Sequence, residues 1–252
     1  MPISKEGVSM GELLSSVFST GEAIVGRIKE TQRDVIERAA VYMGEAFLRH
    51  KKLFVSGSGH SHTFTEEMYG RAGGLAFVVP ILTPELTMTD HPTKSSYIER
   101  LDGYASILGE LYRIGTGDVV VVASNSGRNA YPVELALYAH EHGATTIAIT
   151  SVAHSSQTSS RAASGKKLMD VADVVIDNCG QLGDACFDVP GVATPMMPTS
   201  SIANAFIAQA LSVLTAAYIA QHGVEPPVFE SLNADPTINR NDEYYQMYTR
   251  LY

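Results

Sequence analysis

Apolar residues recur three and four apart between Met10 and His50: Leu13, Leu14, Val17 and Phe18, then Ile24, Val25 and Ile28, then Val35, Ile36 and Ala39. That period puts one apolar stripe along two helices, or along one bent helix. From Lys51 the pattern changes. Short, continuous apolar runs appear in "KKLFVSG", "LAFVVPIL", "DVVVVAS", "ATTIAIT" and "ADVVIDN". Each reads as a short strand buried on both faces. Between them lie helical stretches. "HTFTEEMYGRAGG" predicts a helix closed by Gly73 and Gly74. Ser95 or Ser96 caps a second, running to about Arg113. "NAYPVELALYAHEHG" predicts a third, with Pro132 tolerated in its first turn. "PTSSIANAF" opens a long apolar helix that ends near His222.

Strands alternating with helices predict an α/β fold built on a parallel sheet. The stretch "SVAHSSQTSSRAASGKK" reads as a polar loop, and a Gly/Pro-rich loop precedes Pro198. The organisation expected is a helical extension over 1–50, an α/β domain over 51–223 and an arm over 224–252, packed on the body or on a neighbouring subunit.

The chain has 252 residues, enough for one large domain with additions. Its formal net charge of −9 argues against nucleic acid as a partner, because phosphate-backbone binding needs a basic surface. It leaves room for a small anion, which a few backbone N–H groups can hold. Cys179 and Cys186 stand without a histidine nearby in sequence, so they read as reduced thiols. No metal and no cofactor are expected. The most apolar helix is interrupted by Asn204 and Gln209 and carries Ser212 and Thr215, which suits a core or subunit-interface helix rather than a membrane span. With no basic-then-apolar leader pattern, the expected location is the cytoplasm.

Chemistry gathers where two strands end. In an open parallel sheet, ligands bind beyond the carboxyl ends of the strands, where the strand order reverses. In the flavodoxin-like order 2-1-3-4-5, the first and third strands flank that point. The loops leaving them are "SGSGHSH", with Gly57, Ser58, Gly59, His60 and Ser61, and "SNSGRN", with Ser124, Asn125, Ser126, Gly127 and Asn129. Both combine glycines that let backbone approach closely with hydroxyls and a following helix start, the makings of a phosphate cradle. The dinucleotide pattern fails, since His62 stands where its third glycine belongs, and the P-loop and nucleophile-elbow patterns are absent.

"SGSGHS…EEMYGRAGG", "DVVVVASNSGRN…HGATTIAITS" and "PTSS" at the start of a long helix together resemble the SIS (sugar isomerase) domain. The likeness runs from about Val35 to His222; the helical pair followed by one such domain resembles phosphoheptose isomerase-like proteins, and closer still is a subgroup labelled phosphosugar isomerase with "GHS", "RAGG", "ER", "SGK" and "GDA" segments. It implies a flavodoxin-like, doubly wound, five-stranded parallel sheet that binds a sugar phosphate. It also implies a homodimer or homotetramer. On this resemblance Ser61 serves the phosphosugar, Ser124, Asn125 and Ser126 the phosphate, and Thr199 and Ser200 the ligand at the start of the last helix. Asn129 stands where the family usually has Thr.

Aldose–ketose isomerisation needs a base beside the carbonyl and an acid for the enediol. The candidates are Glu67, one turn earlier than the family's catalytic Glu, then Glu99 and His91. Glu67 also fits a solvated helix face, Glu99 a helix-dipole partner and His91 a loop residue. The family's histidine on the last helix has no counterpart between Thr199 and Gln221. The expected activity is therefore a phosphosugar isomerase. An amino-sugar phosphate lyase or deaminase, or a non-catalytic phosphosugar sensor, would use the same cradle.

Overall fold

The computed structural model describes residues 8–234 and 240–248. Two helices open the fold, α1 (Met10–Thr31) and α2 (Arg33–Leu48). Ser9 and Glu12 form a reciprocal capping box that starts α1. The break falls at Gln32, whose side-chain oxygen accepts a hydrogen bond of 3.0 Å from the Asp177 N–H.

Five strands follow: β1 (Leu53–Gly57), β2 (Val78–Ile81), β3 (Val119–Ala123), β4 (Thr145–Thr150) and β5 (Val174–Asp177). They form one parallel sheet in the order β2-β1-β3-β4-β5, the flavodoxin-like order expected. β1 and β3 are neighbours in register, from Leu53 beside Val119 to Gly57 beside Ala123.

The four valines of β3 show why these strands read as unbroken apolar runs. Side chains alternate between faces along a strand. Val55 and Val121 point into a core with Ile24, Ile36, Met43, Ile207 and Leu211, from α1, α2 and the long helix α9 (Thr199–Gln221). Phe54, Val120 and Val122 point the other way, onto α5 (Tyr104–Tyr112) and α6 (Ala130–Glu141) through Leu108, Tyr131 and Leu135. The N-terminal pair thus shares one core with the sheet. Among the described residues α9 alone is long and apolar enough to cross a membrane, and its buried face is part of that core.

Several boundaries differ from the sequence expectation. The helix after β1, α3 (His62–Met68), stops short of Gly73 and Gly74. Gly70 and Gly73 take left-handed backbone (φ +66° and +77°), and Gly73 and Ala76 donate to the carbonyls of Phe229 and Pro227. The tail from Val224 is therefore tied to the body of its own chain. The expected helix from Ser95 to Arg113 is two, α4 (Lys94–Ile98) and α5, with Thr93 rather than a serine at the N-cap position. They part at Gly103, whose φ of +82° suits glycine and whose N–H donates to Glu134 Oε2. The polar stretch after β4 contains α7 (Val152–Ser156), capped by Ser151. Beyond it lies the short α8 (Leu168–Val171). Before α9 the chain forms a small antiparallel hairpin, β6 (Ala185–Phe187) and β7 (Met196–Pro198), and α10 (Asn241–Tyr248) closes the described chain.

Candidate functional site

At the carboxyl ends of β1 and β3, where the strand order reverses, the two Ser/Gly loops lie side by side. The first folds into a single tight turn. A Cβ on Gly57 would meet the carbonyl of Ser61, which explains the glycine at the strand end, and Gly59 takes left-handed backbone (φ +57°). The second loop closes on itself, since Ser124 Oγ accepts the N–H of Gly127 at 3.2 Å and Gly127 has φ +59°.

Glu99, at the end of α4, joins the two loops. Ser58 Oγ donates to its Oε2 at 2.6 Å and Asn129 Nδ2 donates to its Oε1 at 2.7 Å. Asn129 occupies the N-cap position of α6, but its side chain makes no cap and is given to the carboxylate instead. Arg161 Nη1 in turn donates to Asn129 Oδ1 at 3.3 Å. Burial raises the proton affinity of the Glu99 carboxyl above the ordinary carboxylate value, against the hydrogen bond from Ser58 and the charges of Arg100 and Arg161. A carboxyl of this kind can take and return a proton nearer neutral pH than a solvated one.

These residues line an open cleft of about 350 Å³, within the usual size of small-molecule sites. Ser58, Gly59, His60 and Ser61 form one side of its lining, with Ser124, Asn125, Ser126 and Asn129 from the second loop. Glu99, Ser95, Ser96, Met88 and Pro92 complete it together with His154. Asn125 is fixed from behind, its Oδ1 accepting from Asn178 Nδ2 at 3.0 Å. Asn178 also donates to Asn204 Oδ1 at 3.1 Å, which links the second loop to α9.

The other candidates lie elsewhere. Glu67 pairs with Arg71 and accepts from Gln209 of α9, in a neighbouring cleft lined by Thr63, Phe64, Ser201, Asn204 and Ala205. His60 borders both clefts. His91 is exposed, its Nδ1 beside the Thr93 hydroxyl at 3.1 Å, and it does not line the Glu99 cleft. Thr199 and Ser200 are engaged by Asp184. Thr199 Oγ1 (2.8 Å), Ser200 N (2.8 Å) and Ser200 Oγ (2.6 Å) all donate to its carboxylate, which occupies the start of α9.

Three residues with a part in this arrangement carry little signal in the sequence. Asn178 and Asp184 are ordinary loop polar residues until folding brings them to Asn125 and to α9. His154 lies in the polar stretch after β4, where only Ser151, three residues earlier, hints at a helix start. The two cysteines are not bonded to each other. No group of three or more His, Cys, Asp or Glu side chains suited to a metal ion occurs among the described residues.

The sequence profile of the SIS domain matches residues 18–151, just over half of the chain. The chain belongs to the SIS-domain family. This SIS protein is 43% identical over 227 residues to a UPF0309 protein of Halalkalibacterium halodurans, a match spanning 90% of this chain and 94% of the relative. A UPF0309 protein of Caldanaerobacter subterraneus is 37% identical over 229 residues, covering 90% and 93%. The phosphoheptose isomerase of Neisseria gonorrhoeae superposes with a TM-score of 0.53 at 18% identity, over 84% of this chain and all of that one. The sugar isomerase domain of an RpiR transcription factor from Sphaerobacter thermophilus gives 0.51 at 16% identity, over 83% and 93%. At such identities the superpositions show a shared fold.

Proposed function

We propose that this SIS protein binds a sugar phosphate in the cleft between the β1 and β3 loops and isomerises it between aldose and ketose forms, with Glu99 as the proton-transferring group. The observation that carries this reading is the Glu99 carboxylate itself. It lies between the two Ser/Gly loops, is held by one donor from each, and has its proton affinity raised by burial. The Ser124–Gly127 turn and the start of α6 would receive the phosphate, with the Ser126 hydroxyl and Ser61 at the cleft wall. The carbon beside the sugar carbonyl would then lie near Glu99, where a general base is needed. The phosphoheptose isomerase of N. gonorrhoeae, with the same fold, supports an isomerase.

A phosphosugar sensor is the second reading, favoured by the fold shared with the RpiR sugar isomerase domain. A sensor needs the cradle but no group of shifted proton affinity. The activity is assigned to residues 51–223. The exposed apolar side chains Leu14 and Phe18 of α1 and Phe206 and Val213 of α9 support self-association of two or four copies.

Binding is tested by thermal denaturation with a panel of sugar phosphates beside their unphosphorylated sugars. A ligand at about a hundred times its Kd stabilises the folded state by about 2.7 kcal/mol. That is roughly 5–10 °C for a chain of this size. Stabilisation by phosphorylated sugars alone, reduced in Ser126→Ala, supports the reading. No response to any sugar phosphate refutes it.

A further inference from the structure

We propose that His154 is the second acid–base group of the cleft, reaching the bound sugar from the β4 side while Glu99 reaches it from the β1 and β3 loops. This rests on the reading of the cleft as a phosphosugar site. His154 lines the cleft beside Asn125 and Ser126. Its position is set by the backbone: Ser151 Oγ accepts the His154 N–H at 3.1 Å, and the Val152 N–H donates to Asp177 Oδ1 at 3.0 Å.

The imidazole differs from other histidines of the chain in one respect. His62, His142 and His222 place Nδ1 against a backbone carbonyl, and His91 places it against a threonine hydroxyl. The Nδ1 of His154 is buried and has no hydrogen-bond partner. Buried polar atoms are nearly always paired, so this ring is the exception: no carbonyl fixes its Nδ1 as one does for His62, His142 and His222, and its tautomer is left free to change.

The ring sits between opposing charges, and burial decides for its neutral form. Burial lowers its pKa and the Arg128 guanidinium adds to this, against the pull of Asp184 from the hairpin. The neighbouring Lys167 ammonium is spent on the carbonyls of Ser155 and Thr158. The Asp177 carboxylate is spent on the N–H groups of Val152 and Cys179. A neutral imidazole can both give and accept a proton at neutral pH.

The two groups then divide the isomerisation without any co-reactant. The Glu99 carboxylate removes the proton from the carbon beside the carbonyl, and the C–H electron pair becomes the C=C bond of the enediol. The carbonyl π pair moves onto its oxygen, which takes a proton from the His154 ring. The ring regains a proton from the neighbouring hydroxyl as the new carbonyl forms, and Glu99 returns its proton to the other carbon.

The test uses the sugar phosphate that stabilises the wild-type protein most, and follows its isomerisation by NMR from pH 5 to pH 9. His154→Gln is expected to bind that sugar phosphate within about threefold of wild type. Its turnover should fall about 100-fold or more, as for loss of one acid–base group, with one limb of the pH profile missing. Arg128→Gln should move that limb to higher pH, because a positive charge that favours the neutral ring is gone. His154→Gln with wild-type turnover and an unchanged pH profile overturns the role of His154 and leaves the phosphosugar reading standing. A panel in which no sugar phosphate binds or isomerises overturns both.

Discussion

Replacing Gly57 by alanine tests how the first loop is built, and the structure gives the size of the effect. The backbone of Gly57 is outside the left-handed region, so alanine is not excluded by its φ. The obstacle is contact. An added Cβ would overlap the Ser61 carbonyl oxygen and lie 2.7 Å from its carbonyl carbon, well inside the 3.4 Å at which ordinary contact begins. The atoms it meets are backbone, so no side-chain rotation relieves the clash, and the Ser58–Ser61 turn must move. Overpacking of this kind costs about 1–3 kcal/mol. At about 2–4 °C per kcal/mol for a chain of this length, Tm should fall by roughly 2–12 °C.

Displacing Ser58 also withdraws its hydrogen bond from Glu99, so sugar-phosphate stabilisation should be lost with it. Gly26 in α1 is the control. A Cβ there meets nothing within 4 Å, and Gly26→Ala should raise stability by about 0.5–1 kcal/mol while leaving ligand binding intact. Scanning calorimetry with and without the panel reads all of these values. A Gly57→Ala protein with wild-type Tm and wild-type ligand response would refute the reasoning.

Further outcomes follow from other parts of the site. The folded-state pKa of Glu99 is raised by burial, so the native protein holds this proton to higher pH than the unfolded chain does. Stability from this residue is therefore present at and below the ordinary carboxylate range and is lost as pH rises through the raised value. Glu99→Gln should remove that decline, so its Tm relative to wild type rises between acid and neutral pH; a parallel pair of Tm–pH curves contradicts the assignment. Asp184→Ala leaves both Ser200 donors without their acceptor and Thr199 Oγ1 with only the backbone carbonyl of residue 184, and should cost about 1–2 kcal/mol as a lost helix cap, read as a lower Tm. Phe206→Glu on the exposed face of α9 should shift sedimentation toward the monomer, and an unchanged sedimentation profile removes that face from the proposed interface.

The sheet was legible because its central strands are buried on both faces, so Val119–Ala123 and its neighbours stand out as apolar runs. Helix ends were less so. Gly70, just past the end of α3, and Gly103, at the N-cap of α5, bound helices through positive φ, which a glycine in a sequence does not announce. The hairpin of β6 and β7 escaped notice because strands of three residues are too short to show alternation. At the site, the two Ser/Gly loops could be assigned to one sheet end from strand order alone. The bonds of Ser58 and Asn129 to Glu99 span 41 and 30 residues, and nothing in local spacing reports them. Glu67 and Glu99 looked equivalent as helix carboxylates, whereas folding turns the first toward Arg71 and Gln209 and the second toward the loops.

The most direct measurement is hydrogen exchange on the sugar. The wild-type protein is incubated in D2O with each sugar phosphate that stabilises it, and NMR follows deuterium at the carbon next to the carbonyl. Proton transfer through an enediol predicts deuterium at that carbon in wild type and its loss in Glu99→Gln, with ligand-induced stabilisation preserved. Sugar phosphates that bind tightly and never exchange would contradict catalysis at Glu99 and leave the cleft as a sensor's binding site.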